Sequence, residues 1–196
     1  MKCLLVLAHP LHDSLAASLA QHVHDLLKAG GHEVVLEDLY KNAFDPALSA
    51  SERASYYAPA YDDTHVAAEI QRLRHADAIV LVFPTWWFGF PAILKGWFDR
   101  VWAPGVAYDH AADGGAIKAR LSGLRRMLVV TTLGSPSWVD RWVMRRPVRR
   151  ILKTAILGAC AAQCRMQMLS LYQSERVTAK QVTRFRQGIA RALASW

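Results

Sequence analysis

The hydrophobic positions of this chain change period in a regular order. Lys2-Cys-Leu-Leu-Val-Leu-Ala8 is an apolar run behind one lysine, the pattern of a strand covered on both faces in a parallel sheet. From Ser14 the period lengthens: Leu15, Leu19, Val23, Leu26 and Leu27 fall on a helical stripe, Asp13 or Ser14 can cap its start, and Gly30-Gly31 stops it. Glu33 to Asp38 reads as a second short strand, closing a β-α-β unit. Residues 40–64 keep no sustained period and predict a long surface excursion with at most a helical turn; loops of that length usually carry function. Val66 to Arg74 reads as helix and Ala78 to Phe83 as a buried strand, and Ile93, Leu94, Trp97, Phe98 and Val101 mark the core stripe of the next helix. A fourth strand is predicted over Arg126 to Thr132 and a fifth over Arg165 to Leu171. Between them residues 139–158 read as helix interrupted at Pro147, and Val182, Phe185, Ile189 and Leu193 give a C-terminal helix.

Strands alternating with helices, without repeat or linker, predict a single α/β domain over 1–196: a doubly wound parallel sheet with helices on both faces. Five strands favour the flavodoxin-like order 2-1-3-4-5 over a six-stranded dinucleotide fold. In that topology the switch point lies between strands 1 and 3, so a ligand is expected between the loop after Ala8 and the loop after Phe83.

Composition narrows the classes. A chain of 196 residues with 53% hydrophobic and 20% charged residues can bury a large core, which excludes disorder and removes the need for disulfides or a structural metal. The three cysteines, Cys3, Cys160 and Cys164, have neither zinc-ribbon nor thioredoxin spacing and are expected as reduced thiols in a cytoplasmic protein. The first apolar run is too short for a signal-peptide core, and His9-Pro10 closes it. Ala78 to Leu94 carries no charge, but Pro84, Gly89 and Pro91 break it, so no membrane insertion is expected. The formal charge is +8, of which Arg141, Arg145, Arg146, Arg149, Arg150 and Lys153 supply +6, leaving +2 for the rest. General basicity is therefore no argument for nucleic acid. Positions 141, 145, 149 and 153 form one helical stripe, ordinarily a solvated face but also able to meet a polyanion or the 2′-phosphate of NADPH.

The chain lacks G-x-G-x-x-G, the P-loop, G-x-S-x-G and H-E-x-x-H, so no standard dehydrogenase, nucleotidase, hydrolase or zinc-protease signature is present. Three loops at one sheet edge carry the chemistry instead. His9-Pro-Leu-His-Asp-Ser14 leads into a helix N-terminus, where free N–H groups suit a phosphate, with His9 and Ser14 as added donors. His9 and His12 lack a third ligand nearby in sequence, so no metal site is expected. Pro84-Thr-Trp-Trp-Phe-Gly-Phe-Pro91 puts aromatic rings where a loop must cross the edge of the sheet, a stacking platform for a flat heteroaromatic ring. Thr131-Thr-Leu-Gly-Ser-Pro-Ser137 adds hydroxyls and backbone amides beside it. One loop suited to phosphate and two suited to a polar-edged ring describe a flavin pocket.

The stretch Pro84 to Val101, with Trp87-Phe-Gly89 and Pro91-Ala-Ile-Leu-Lys-Gly-Trp-Phe-Asp-Arg-Val101, resembles the signature of NAD(P)H:quinone oxidoreductases of the DT-diaphorase type. Ala8-His9, Asp38-Leu-Tyr40, Gly105-Val-Ala-Tyr108 and Thr131-Thr132 match that family in the same order, and the likeness covers roughly residues 2–137. It implies a homodimer with flavin at the interface and two-electron reduction of quinones or related acceptors by NAD(P)H in a ping-pong cycle. By position it assigns His9, Ser14, Leu15 and Ala16 to the pyrophosphate and ribityl region. It assigns Pro84, Thr85, Trp86, Trp87 and Phe88 to the isoalloxazine, and Thr131, Thr132, Leu133 and Gly134 to that ring's other edge. Asp99 stands for a family glutamate near an adenine, which with the long 40–64 loop favours FAD, FMN being the alternative. Phe88, Tyr108, His110 and Trp138 are expected at the substrate, with Tyr108 reaching into the partner's pocket. The family's catalytic Tyr and His have no counterparts in Leu133-Gly-Ser-Pro-Ser-Trp-Val-Asp140, so no catalytic residue is named; backbone amides near Gly134 and Ser135 are the candidate stabilisers of negative charge. The alternative function is an ancillary flavoprotein, an electron carrier or a regulator of a membrane transport system.

Overall fold

The computed structural model describes residues 1–111 and 115–196. The chain runs β1 (Lys2–Leu7), α1 (Leu15–Ala29), β2 (Glu33–Asp38), α2 (Ala50–Ala54), α3 (Ala67–Arg74), β3 (Ala78–Pro84) and α4 (Ala92–Val101). It continues through β4 (Tyr108–Asp109), β5 (Lys118–Ala119), β6 (Arg126–Leu133), α5 (Pro147–Arg150), α6 (Leu157–Cys160), β7 (Arg165–Tyr172) and α7 (Ala179–Leu193). Five strands form one parallel sheet in the order β2-β1-β3-β6-β7, the flavodoxin-like order expected from the sequence. The short β4 and β5 pair antiparallel outside it, an element that two residues per strand leave invisible to periodicity.

Alternation across the sheet builds two cores. Leu4, Val6, Ile79, Leu81, Phe83, Met127 and Val129 face α3, α4 and the 147–161 segment, while Cys3, Leu5, Leu7, Val80, Val82, Leu128 and Val130 face α1 and α7. β3 is buried along its whole length, as a central strand between two helical layers must be. At the edge, β2 buries Glu37 instead of an apolar residue; its carboxylate takes the Trp97 indole N–H at 2.5 Å and the Arg72 Nε–H at 2.6 Å, tying β2 to α3 and α4.

The 40–64 excursion differs from the expected surface loop. It holds α2, a 3-10 turn at Ser55–Tyr57 and a fully buried Glu52, which pairs with the buried Arg100 of α4. Arg100 also donates to the carbonyl of Asp45, and Tyr56 donates its hydroxyl to the carbonyl of Asp99 at 2.6 Å. The segment is anchored to α4 by polar contacts, which hydrophobic patterning does not register.

The helical region after β6 is also broken differently. Residues 139–143 and 151–156 are π-helical, and the interruption lies at Arg145 and Arg146, both left-handed with φ of 57° and 53°, ahead of Pro147. Proline disfavours helical backbone in the residue before it, and here it becomes the first residue of α5. All three cysteines are free, and burial pushes their thiols up to about 11. Among the described residues no helix is long and apolar enough to cross a membrane, and no group of three metal-ligating side chains is present.

Candidate functional site

The carboxyl ends of β1, β3 and β6 bring the three expected loops to one edge. The first is set by its own hydrogen bonds. Ser14 caps α1, its Oγ accepting from the Ala17 amide at 3.1 Å. The cap satisfies the third amide of the helix and leaves those of Leu15 and Ala16 without an intrahelical acceptor, facing the positive end of the dipole. His9 accepts the Leu11 N–H on Nδ1 at 3.0 Å, which places the proton of the neutral ring on Nε2, and its ring stands tilted against Trp86 at 6.4 Å. Residues 12–14 and 17 also line a cavity of about 400 Å³ that runs to Asp38 and Lys41, at and just past the carboxyl end of β2.

The second loop is strained. The Gly89 N–H donates to the Trp86 carbonyl at 2.8 Å, and the two residues between, Trp87 and Phe88, have φ of 51° and 58°. A four-residue turn with both central residues left-handed normally takes Asn or Gly, so two bulky aromatic residues there represent strain held by the surroundings. The consequence is exposure: Trp87 is 100% exposed and Trp86 42%, while Phe90 is tucked inward against Phe83 and Phe98.

The second and third loops are locked together. Thr85 donates its amide to the Thr132 carbonyl at 2.8 Å, and its hydroxyl meets that of the buried Thr131 at 2.7 Å. Leu133 is buried, Gly134 is exposed beside the Glu175 carboxylate, and Trp138 is 59% exposed. Ser135 leaves a buried hydroxyl without a partner.

The structure therefore gathers His9, Ser14, Leu15, Ala16, Pro84, Thr85, Trp86, Trp87, Phe88, Thr131, Thr132, Leu133 and Gly134 along one edge. Three expected residues stand apart. Asp99 lies near the far end of α4, its carboxylate paired with Lys95 at 2.6 Å. Tyr108 and His110 form a separate aromatic group with Tyr57, at ring distances of 5.3 and 4.7 Å from His110, beside a cavity of about 620 Å³. Sequence reasoning missed Asp140 and Tyr172: Asp140 is buried and accepts the Tyr172 hydroxyl at 2.8 Å. No local signal marks that pair, because its members sit 32 positions apart.

A family model described as flavodoxin-like fold matches residues 1–196. The chain belongs to that flavodoxin-like family. Among its curated relatives, "NAD(P)H dehydrogenase [quinone] 1" of Rattus norvegicus is 35% identical over 183 residues, 83% of this chain and 65% of the relative. An uncharacterized NAD(P)H oxidoreductase of Escherichia coli is 37% identical over 110 residues, 53% of this chain and 54% of the relative. The flavodoxin-like chain thus spans between about half and two thirds of the length of these relatives. The NAD(P)H:quinone oxidoreductase of Methanothermobacter marburgensis superposes with a TM-score of 0.85 at 24% identity, covering 98% of this chain and 94% of that one, which establishes the likeness of fold.

Proposed function

We propose that this chain is a cytoplasmic flavin-dependent NAD(P)H oxidoreductase that reduces quinones or related flat acceptors two electrons at a time. The observation that carries the reading is the strained 86–89 turn, which presents a fully exposed Trp87 at the switch-point edge, between unpaired helix amides and a hydroxyl-rich loop. An exposed indole held in an unfavourable backbone is a ligand platform in search of a ring.

The donor set fits a flavin nucleotide. The amides of Leu15 and Ala16 and the His9 Nε2–H would hold phosphate, where the helix dipole favours negative charge. Trp86, Trp87 and Phe88 would flank the ring, and the coupled Thr85 and Thr131 hydroxyls would keep the two loops in register under it. The flavin, when bound, supplies the hydride chemistry. The protein's part is to orient donor and acceptor in turn on the one face beside Phe88, the basis for a ping-pong cycle. Amides at Gly134 and Ser135 would steady negative charge at the ring's polar edge. FAD is preferred over FMN because the 40–64 excursion is pinned against α4 near Asp99, where an adenine can rest.

The reading includes a homodimer. Tyr57 is 73% exposed and Ile117 48%, and together with Tyr108 and His110 they give one end of the molecule an apolar rim suited to a second copy, whose pocket Tyr108 and His110 would complete. Purified protein is expected to be yellow, to release FAD on heating and to oxidise NAD(P)H with a soluble quinone. Failure to take up any flavin on titration sinks the proposal, and steady turnover by the isolated protein counts against a purely ancillary role. Light scattering at the monomer mass would remove the dimer.

A further inference from the structure

We propose that the arginine-walled cavity at the carboxyl ends of β6 and β7 is a phosphate site that reads the 2′-phosphate of NADPH. The inference rests on the reductase reading above. The cavity has a volume of about 310 Å³, and its lining includes Thr85, which precedes the aromatic turn, Leu133 at the end of β6, and Arg141, Arg146 and Arg149. Among the described residues none of these three guanidinium groups is in an ion pair, whereas Arg72, Arg100 and Arg120 each have a carboxylate. One acid, Asp140, also lines the cavity; its carboxylate takes the Tyr172 hydroxyl at 2.8 Å, and the Arg141 guanidinium lies 5.8 Å from the centroid of that tyrosine ring. Three cations against one carboxylate make the space positive, with Arg141 and Arg146 open to solvent and Arg149 half-buried, so an anion can reach all three guanidinium groups.

The backbone decides which arginines line the cavity. An unbroken helix would place 141, 145, 149 and 153 on one solvated stripe. Instead, the consecutive left-handed Arg145 and Arg146 turn the chain, with the Arg146 amide donating to the Asp140 carbonyl at 2.7 Å. The turn brings Arg146 into the wall and takes Arg145 out of it. Pro147, which disfavours right-handed helical backbone in the residue before it, fixes the turn at Arg146.

Position decides which phosphate. The unpaired amides of α1 follow β1, while the cavity lies beyond β3 at β6 and β7. At roughly 4.8 Å between neighbouring strands, the two anion sites are more than about 10 Å apart. A flavin phosphate on α1 cannot also fill the cavity, whereas a hydride donor stacked beside Thr85 has a second charged end to place. Planar guanidinium forks match phosphate oxygens, and NADH, which lacks the 2′-phosphate, leaves them solvated.

The test is calorimetric titration of the purified protein with adenosine 2′,5′-bisphosphate, adenosine 5′-monophosphate and inorganic phosphate, alongside the ratio of kcat/KM for NADPH to that for NADH. The bisphosphate is expected to bind at least about tenfold tighter than either control, and Arg146→Gln and Arg149→Gln each to remove roughly tenfold of that preference and of the kcat/KM ratio. Arg145→Gln, outside the wall, is expected to leave both preferences unchanged. Equal affinity for the bisphosphate and monophosphate overturns the proposal, as does a preference that survives both wall variants. Inorganic phosphate binding as tightly as the bisphosphate also overturns it, by assigning the cavity to a free anion. Equal use of NADPH and NADH by a flavin-loaded enzyme ends the inference and spares the reductase reading. Selective bisphosphate binding without flavin uptake does the reverse.

Discussion

Gly96 of α4 lies so close to Pro46 that a Cβ there would stand under 3.0 Å from the carbonyl oxygen of that proline. A glycine in mid-helix is therefore what allows the 40–64 excursion to lie flat on α4. By propensity alone, Gly96→Ala should stabilise the helix by about 1 kcal/mol. The collision reverses the sign: a net loss of about 1–3 kcal/mol is expected in urea unfolding, as for other overpacked sites. A gain would show that Pro46 moves aside freely.

Glu52 fastens the same excursion from below. Burial opposes its ionisation, but the Arg100 guanidinium and the Ser49 amide outweigh burial and hold the carboxyl below its ordinary 4.5. An acid with a depressed folded value contributes stability that is complete above the unfolded value and is lost as pH falls through the folded one. Glu52→Gln is therefore expected to cost about 3 kcal/mol at neutral pH, since Arg100 is left buried without its counter-charge. That difference should shrink steadily below pH 4.5; a gap between wild type and variant that is constant with pH would refute it.

Trp87 separates stability from binding. Glycine adopts a φ of 51° without strain, so Trp87→Gly is expected to leave the melting temperature unchanged or raise it. The same change removes an exposed stacking surface, and flavin affinity is expected to fall roughly tenfold, on the scale of one lost aromatic contact. A variant that melts earlier and binds flavin as before would reverse both halves.

Ser14 and His9 divide the duties of the first loop. Loss of the Ser14 cap on the Ala17 amide should destabilise the fold by about 1 kcal/mol in Ser14→Ala. His9→Ala, which loses one short-range bond at a half-buried position, should unfold at nearly the wild-type urea concentration yet bind flavin several-fold more weakly. Equal flavin affinities in His9→Ala and wild type would remove His9 from the phosphate site.

Much of the candidate site was legible because the fold places loops by strand order. The apolar runs ending at Leu7, Pro84 and Leu133 set the three loops on one edge, and the residue types in those loops are what the proposed phosphate and ring sites rest on. Exposure of Trp87 was readable as a conflict, a bulky ring in a Gly-containing turn, but the two left-handed residues that enforce it were not. Asp99 and Tyr108, carried over by resemblance, stand away from the gathered residues, Asp99 paired with Lys95 and Tyr108 packed edge-on against His110.

The sequence by itself determined the strands, the main helices and the order of the sheet, because burial period is a local property of the chain and parallel connections leave few topologies. Only the tertiary structure decided the contacts between distant polar groups. Glu52 meets Arg100 across 48 positions, Glu37 meets Trp97 across 60, and the arginine cavity joins Thr85 to Arg149. No periodicity encodes such pairings; Glu37, Glu52 and Arg100 are charges that the closing fold removes from water and that must find partners, whereas the arginines of the cavity keep their contact with solvent.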